Sequence, residues 1–240
     1  LPSISFWTSA IGKDSIAFMS TGLALWSSMN FGKRHWLMSF AVLTMFLVRP
    51  HIAGIMILAV GCAVIFDPRV STWGKAAFGI LVAAVAAFLV PFSLEYAGVD
   101  SGGDLRQLLE YIDQRQSYNM RGVGGVDISE MNLPQQLVTY LFRPSLLDAR
   151  DFLMVAAALE NAVIMFIFFA GILSLFQGRQ SGLGENRIFM WTYALAVWVI
   201  LAATTANSGI ALRQKWMFLP MLIFLLISVL GRRVYRKPLP

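Results

Sequence analysis

The sequence predicts an all-α fold, a polytopic transmembrane helix bundle of about seven spans with one larger outer-face loop carrying amphipathic helices. Three observations predict it. Hydrophobic residues make up 58% of the 240-residue chain and charged residues only 13%, against about 25% charged in soluble domains. The apolar residues come in long blocks instead of alternating with polar ones. Basic residues collect in alternate connections between those blocks. The net charge of +6 lies between and beside the blocks. No basic stripe interleaves with aromatics, which argues against nucleic acid as a partner.

The elements follow in order. Measured against the roughly 20 apolar residues that cross a bilayer, the candidate spans are 15–29, 36–49, 51–66, 75–97, 152–176, 188–206 and 210–231. The first is short and borrows from the residues before it. The second and third are separated by Arg49-Pro50-His51. Proline lacks a donor and discourages helix at the residue before it, so this break predicts a tight hairpin; one long kinked span is the alternative. Residues 1–97 thus form an N-terminal group of helices, 98–151 an outer loop, and 152–240 a C-terminal group ending in a basic tail. Cys62 is the only cysteine and lies in an apolar run, so neither an internal disulfide nor a thiolate metal cluster is expected. No signal peptide is visible at Leu1.

Orientation follows from charge. The tail carries Arg232, Arg233, Arg236 and Lys237, which places it in the cytoplasm. Counting back, Lys33 and Arg34, Arg69 and Lys75, and Arg179 and Arg187 fall on the same side; with the tail these segments hold ten basic residues against two acidic ones, Asp67 and Glu185. The opposite side carries nine basic and ten acidic residues. A single span over 36–66 would move Lys33 and Arg34 outside.

Within the loop, Asp104 caps a predicted helix through Gln116. Leu105, Leu108, Leu109 and Ile112 share one face, and Arg106, Glu110, Asp113 and Arg115 the other. A glycine-rich stretch, Arg121-Gly-Val-Gly-Gly125, follows, then a second amphipathic stretch with Leu133, Leu137, Tyr140 and Leu141. Long loops of this kind are more often functional than connective.

Four polar motifs meet at the outer face in this topology. They are Phe6-Trp-Thr-Ser-Ala-Ile-Gly-Lys-Asp14, Arg49-Pro-His51, Phe142-Arg-Pro-Ser-Leu-Leu-Asp-Ala-Arg-Asp151 and Asn207-Ser-Gly-Ile-Ala-Leu-Arg-Gln-Lys215. They bring Lys13, Arg49, Arg143, Arg150, Arg213 and Lys215 to one boundary. Arginine donates two parallel hydrogen bonds to one phosphate, so cations above an apolar bundle suit a lipid-linked diphosphate. Asp14 and His51 are the candidate bases. Each residue also has a plainer reading. Arg213 and Lys215 can snorkel to the interface, Lys13 and Asp14 can neutralise one another at a helix start, and Arg143-Pro144 can merely end a helix. His51 suits a hydrogen-bonded turn better than a metal site. Glu160, two turns into an apolar helix, is expected to pair with a cation of a neighbouring span. Trp7, Trp26, Trp36, Trp73, Trp191, Trp198 and Trp216 are read as interface anchors. Phosphate-cradling, zinc-protease and nucleophile-elbow motifs are absent from the sequence. No metal or other cofactor is expected.

The motifs "FWTSAIGKD", "RPH", "LFRP" and "NSGIALRQKWMFLP" together resemble those of multi-pass bacterial envelope-polysaccharide proteins. The likeness is to the O-antigen or exopolysaccharide polymerase group and, more distantly, to C-type glycosyltransferases that use polyprenyl-linked donors. The resemblance implies a bacterial inner-membrane enzyme that joins polyprenyl-diphosphate-linked saccharides at the non-cytoplasmic face. By that likeness Arg49, Arg143, Arg150 and Arg213 hold the diphosphate. In C-type transferases an acidic residue of the first outer loop acts as base or metal partner; only Asp14 matches it here. Membrane lipids and further membrane proteins are the other expected partners. A lipid-linked glycan transporter and a non-catalytic subunit of a larger complex are the alternatives, although no internal repeat of the transporter kind is evident.

Overall fold

The computed structural model describes residues 12–97, 110, 113–114, 116–118, 120, 124–128, 130–149, 152–178 and 186–230. All regular structure among them is helical. The helices are α1 (Lys13–Ser28), α2 (Phe31–Val48), α3 (Pro50–Phe66), α4 (Thr72–Ala97), α5 (Leu133–Phe142), α6 (Phe152–Phe176), α7 (Arg187–Thr204), α8 (Ser208–Gln214) with a 3-10 turn over Lys215–Met217, and α9 (Leu219–Leu230).

Each expected apolar block is a helix, yet few of them are long enough to cross a bilayer alone. Among the described residues, Phe152–Phe176 and Arg187–Thr204 are long and apolar enough, and a third crossing is made if Ser208–Met217 and Leu219–Leu230 count as one bent span. A helix rises about 1.5 Å per residue against about 30 Å of hydrocarbon, so α1, with 16 residues, falls short. So does α3, with 17, while α2 opens on Lys33 and Arg34. The last block departs furthest from expectation: it bends by 63° at the break before α9. Phe218 leaves helical geometry at φ −128°, and Pro220, in the first turn of α9, supplies no backbone donor.

The Arg49-Pro50-His51 break is the expected hairpin. Arg49 is non-helical (φ −144°, ψ 80°), and Pro50 starts α3 in the first helical position, where its missing N–H costs nothing. Small residues explain how α1 lies so close to its neighbours. Its buried face is Ala17, Ser20, Thr21, Ala24, Ser27 and Ser28, a spacing of three and four that brings backbones together. Ser20 and Thr44 share a 2.8 Å hydrogen bond between α1 and α2. The Thr21 hydroxyl donates to the Met217 carbonyl at 2.9 Å, tying α1 to the 3-10 turn.

The contacts between helix ends show how the chain runs. Asp14 meets Arg49 at one end. At the other, the Asn186 N–H donates to the Ser28 carbonyl, and Arg187 reaches Ser228. The first end therefore gathers the start of α1, the α2–α3 turn, the α5–α6 corner and the α7–α8 junction. The core lies between α3, α7 and α9, around Met56, Phe189, Tyr193, Phe218 and Leu225. The outer face of α6 stays apolar and uncovered: Phe152, Phe166, Phe169 and Phe176 are all well exposed. An uncovered apolar face of this extent suits lipid, in keeping with membrane association.

The tryptophans divide. Trp26, Trp36 and Trp73 are exposed near helix ends, as anchors would be, but Trp198 and Trp216 are buried. Trp198 stacks on Phe218 and donates its indole N–H to the Leu137 carbonyl at 3.2 Å, so it fastens α5 to α7. Most of the proposed helix from Asp104 to Gln116 lies outside the described residues, as do Trp7 and Arg150. Gln116 is described; it is buried and donates to the Ala203 carbonyl.

Candidate functional site

At the α2–α3 turn the backbone projects Arg49 towards the first turn of α1. Its Nη2 donates to Asp14 Oδ1 at 2.9 Å, with side chains 19% and 26% exposed. Asp14 is well placed there, because the N-terminus of a helix favours negative charge. The Arg49 Nε–H is buried and finds no acceptor among the described residues. Lys13, the neighbour expected to neutralise Asp14, is exposed, and so is His51 in the first turn of α3.

The α5–α6 corner is built from local caps. Asn132 accepts from the Gln135 N–H and Gln135 returns the bond, which starts α5. The helix ends at Phe142, whose ring lies edge-on to Phe168 and stacked on Phe169 of α6. Arg143 follows, exposed, with its Nε 3.5 Å from Asp148. Asp148 also accepts from the Ser145 N–H and hydroxyl. Those two hydrogen bonds, with a smaller contribution from Arg143, hold its carboxyl below the usual aspartate range.

Beneath the corner lies a buried polar group. Asn161 donates to the carbonyls of Phe142 and Pro144 and accepts from Lys215. Lys215 Nζ stands 3.8 Å from Glu160, and both side chains are fully buried. The cation expected for Glu160 is therefore Lys215. This lysine does not snorkel and does not face the boundary.

The glycine-rich segment docks on the α7–α8 junction. Val126 N–H donates to the Ala206 carbonyl and Ser208 N–H to the Gly124 carbonyl, so Gly125 and Asn207 pair as one antiparallel bridge. Gly124 needs its freedom: φ is +91°, and a Cβ there would sit 2.9 Å from Ser208 Oγ. Asn207 caps α8, accepting from the Gly209 and Ile210 N–H groups. Between this bridge and α5 lies a small cleft lined by Val126, Ile128, Gln136, Thr139, Tyr140, Arg143, Thr205, Asn207, Ser208 and Ala211. Its walls carry amides and hydroxyls, with one arginine among them. The Tyr140 hydroxyl is buried and finds no hydrogen-bond partner among the described residues. Burial pushes its pKa well above the usual tyrosine range, and the positive charge of Arg49 works in the opposite direction.

The structure thus brings Asp14, Arg49 and Arg143 to one end of the bundle and encloses Lys215 below them. Arg213 is exposed on α8, outside the lining of the cleft. No known protein family, curated protein or solved structure matches the chain. Sequence reasoning missed Gln136, Thr139, Tyr140 and Thr205 as a group, because Tyr140 reads as one more apolar-face residue of an amphipathic helix. The Asn-Ser-Gly start of α8 and the paired glycines at 124 and 125 were the legible signals, one a cap and the other a close approach.

Proposed function

We propose that this chain catalyses membrane glycosyl transfer or polymerisation of polyprenyl-diphosphate-linked saccharides at the non-cytoplasmic face of a bacterial inner membrane. In this reading the helices make about seven crossings, the short ones tilted or paired, and the basic tail is cytoplasmic. The observation that carries it is the hydroxyl- and amide-lined cleft with Arg143 among its walls, at the same end of the bundle as the Asp14–Arg49 pair. Sugars are read by such side chains, diphosphates by arginine, and the isoprenoid tail by uncovered apolar surface.

In the reaction, an acceptor hydroxyl attacks the anomeric carbon of the donor sugar. The bond from that carbon to the diphosphate oxygen breaks, and polyprenyl diphosphate leaves. Arginines near the leaving group stabilise the charge as it develops. Arg49, Arg143, Arg150 and Arg213, with Lys13 at the rim, are the proposed cations, and Lys215 supports them from below. Asp14 sets the guanidinium of Arg49, and His51 is the candidate base that takes the hydroxyl proton. A base in that role must come within about 3 Å of the hydroxyl.

The test is the length distribution of surface polysaccharide from cells carrying the intact gene, a deletion, or Arg143→Ala or Arg213→Ala. Single repeat units in place of long chains support the reading. Normal product from both variants at normal abundance refutes the assigned sites, and an unchanged product from the deletion refutes the activity. A second reading, a non-catalytic subunit, is favoured by one observation: Arg49, Arg143 and Lys215 each already face a carboxylate. Stable co-purification with a membrane protein that retains the transferase activity alone would select it.

A further inference from the structure

The end of the bundle opposite the cleft carries a different charge pattern. The α2–α3 hairpin returns the chain to the end where α1 stops and α7 begins, so the α1–α2 and α3–α4 turns both lie there. Among the described residues, these turns and the start of α7 hold Lys33, Arg34, Arg69, Lys75 and Arg187 against one carboxylate, Asp67. At the cleft end Arg49 and Arg143 each face a carboxylate, whereas Lys33, Arg34, Arg69 and Lys75 form no ion pair among the described residues. The exposed tryptophans of the described residues, Trp26, Trp36 and Trp73, belong to this same end. Cations and tryptophans side by side are what a membrane interface favours.

One of these cations is fixed in place. Arg34 leaves helical geometry at φ −123°, ψ 19°, and the Ser27 hydroxyl donates to its carbonyl at 2.7 Å. Its guanidinium lies over the Trp26 ring, 4.1 Å from the centroid, and Nη1 donates to the Trp26 carbonyl at 3.2 Å. The charge is thus oriented at the turn by an aromatic face and a carbonyl, with no counter-charge. From this turn α2 presents Trp36, Phe40, Leu43 and Leu47, all exposed, at a spacing of four, three and four that keeps them on one stripe. At 1.5 Å per residue the stripe is about 16 Å long, the depth of one leaflet of a hydrocarbon core about 30 Å thick. Oriented cations at the head of a leaflet-deep apolar stripe are complementary to a molecule with an anionic head and apolar chains. We propose that the α1–α2 hairpin holds an acidic phospholipid, its phosphate on Arg34 and Lys33 and its acyl chains along the stripe from Trp36 to Leu47. The phosphate takes charge-assisted hydrogen bonds from arginine, and the chains cover apolar surface. The inference stands apart from the glycosyl-transfer reading, because it uses the other end of the bundle and none of the residues proposed for that site.

The test uses the full chain in bilayers of phosphatidylcholine containing a fixed fraction of phosphatidylglycerol. Bromine-labelled acyl chains are placed on one lipid or the other, and quenching of tryptophan fluorescence gives the relative binding of the two. The intact protein is expected to prefer phosphatidylglycerol, and to lose that preference as salt screens the cations. Arg34→Gln is expected to lower the preference roughly fivefold. Lys33→Gln, at an exposed position, should lower it in the same direction, and keeps the test open should Arg34→Gln fail to fold. Lys75→Gln, on the α3–α4 side of the same end, is expected to stay within about twofold of the parent, since a seat depends on its own cations more than on the surrounding field. Equal quenching by the two lipids in the intact protein overturns the proposal. So does a parental preference in both Arg34→Gln and Lys33→Gln. A loss in Lys75→Gln as large as in Arg34→Gln overturns it too, by showing a diffuse surface charge in place of a seat.

Discussion

Replacing Lys215 by methionine tests the packing beneath the α5–α6 corner most directly. Lys215 Nζ lies 3.8 Å from Glu160 with both side chains fully buried, and it donates to Asn161, which in turn holds the Phe142 and Pro144 carbonyls. Methionine fills the aliphatic volume and removes the ammonium. At 3.8 Å and an effective dielectric of about 20, the lost attraction is about 4 kcal/mol. Breaking one side of a buried pair costs roughly 3–5 kcal/mol by measurement elsewhere. The two figures agree because most of the loss is a carboxylate left in the interior without its cation. The double variant Lys215→Met with Glu160→Gln removes that charge as well, so it is expected to recover most of the loss. Unfolding would be followed by circular dichroism during denaturant titration in mild detergent. The single variant is expected to lose about 3–5 kcal/mol, with a coupling between the two sites of at least about 1 kcal/mol. A single variant within about 1 kcal/mol of the parent, or a double variant as unstable as the single, refutes the reasoning.

Further outcomes follow from the same geometry. A Cβ at Gly171 would stand 2.7 Å from Leu226 Cβ, so Gly171→Val should separate α6 from α9 and cost about 1–3 kcal/mol, read as a lowered melting temperature. Asp14→Ala removes the partner of a half-buried guanidinium and should cost about 1–3 kcal/mol, whereas Lys13→Ala, at an exposed site, should stay within about 0.5 kcal/mol. The Asp148 carboxyl is held below its usual range by Ser145, so its contribution is present above the ordinary aspartate pKa and is lost as pH falls through the depressed one. Proteolysis of the 143–149 turn should therefore rise at acid pH in the parent, and Asp148→Asn should cleave at one rate across that range.

The sequence by itself determined the helical class, the positions of the apolar helices, and the break at Arg49-Pro50. Apolar runs and proline act locally, through hydrophobic burial and a missing donor, so they can be read residue by residue. Glu160 was legible as a buried carboxylate in need of a cation, because an apolar helix gives an ionised group no other partner. The identity of that cation was decided only by the tertiary structure, since the 3-10 turn at Lys215–Met217 turns this lysine inward. The same holds for Asp14, which leaves its sequence neighbour Lys13 for Arg49, 35 residues away. It holds also for Trp198, buried against Phe218 where spacing alone suggested an interface anchor. The cleft was not legible in any motif: Tyr140 of α5 and Asn207, which pairs with Gly125 in a bridge, line it together only in the packed structure. Periodicity records which face of a helix is apolar, while the choice among polar partners depends on distances that exist only after the helices have packed.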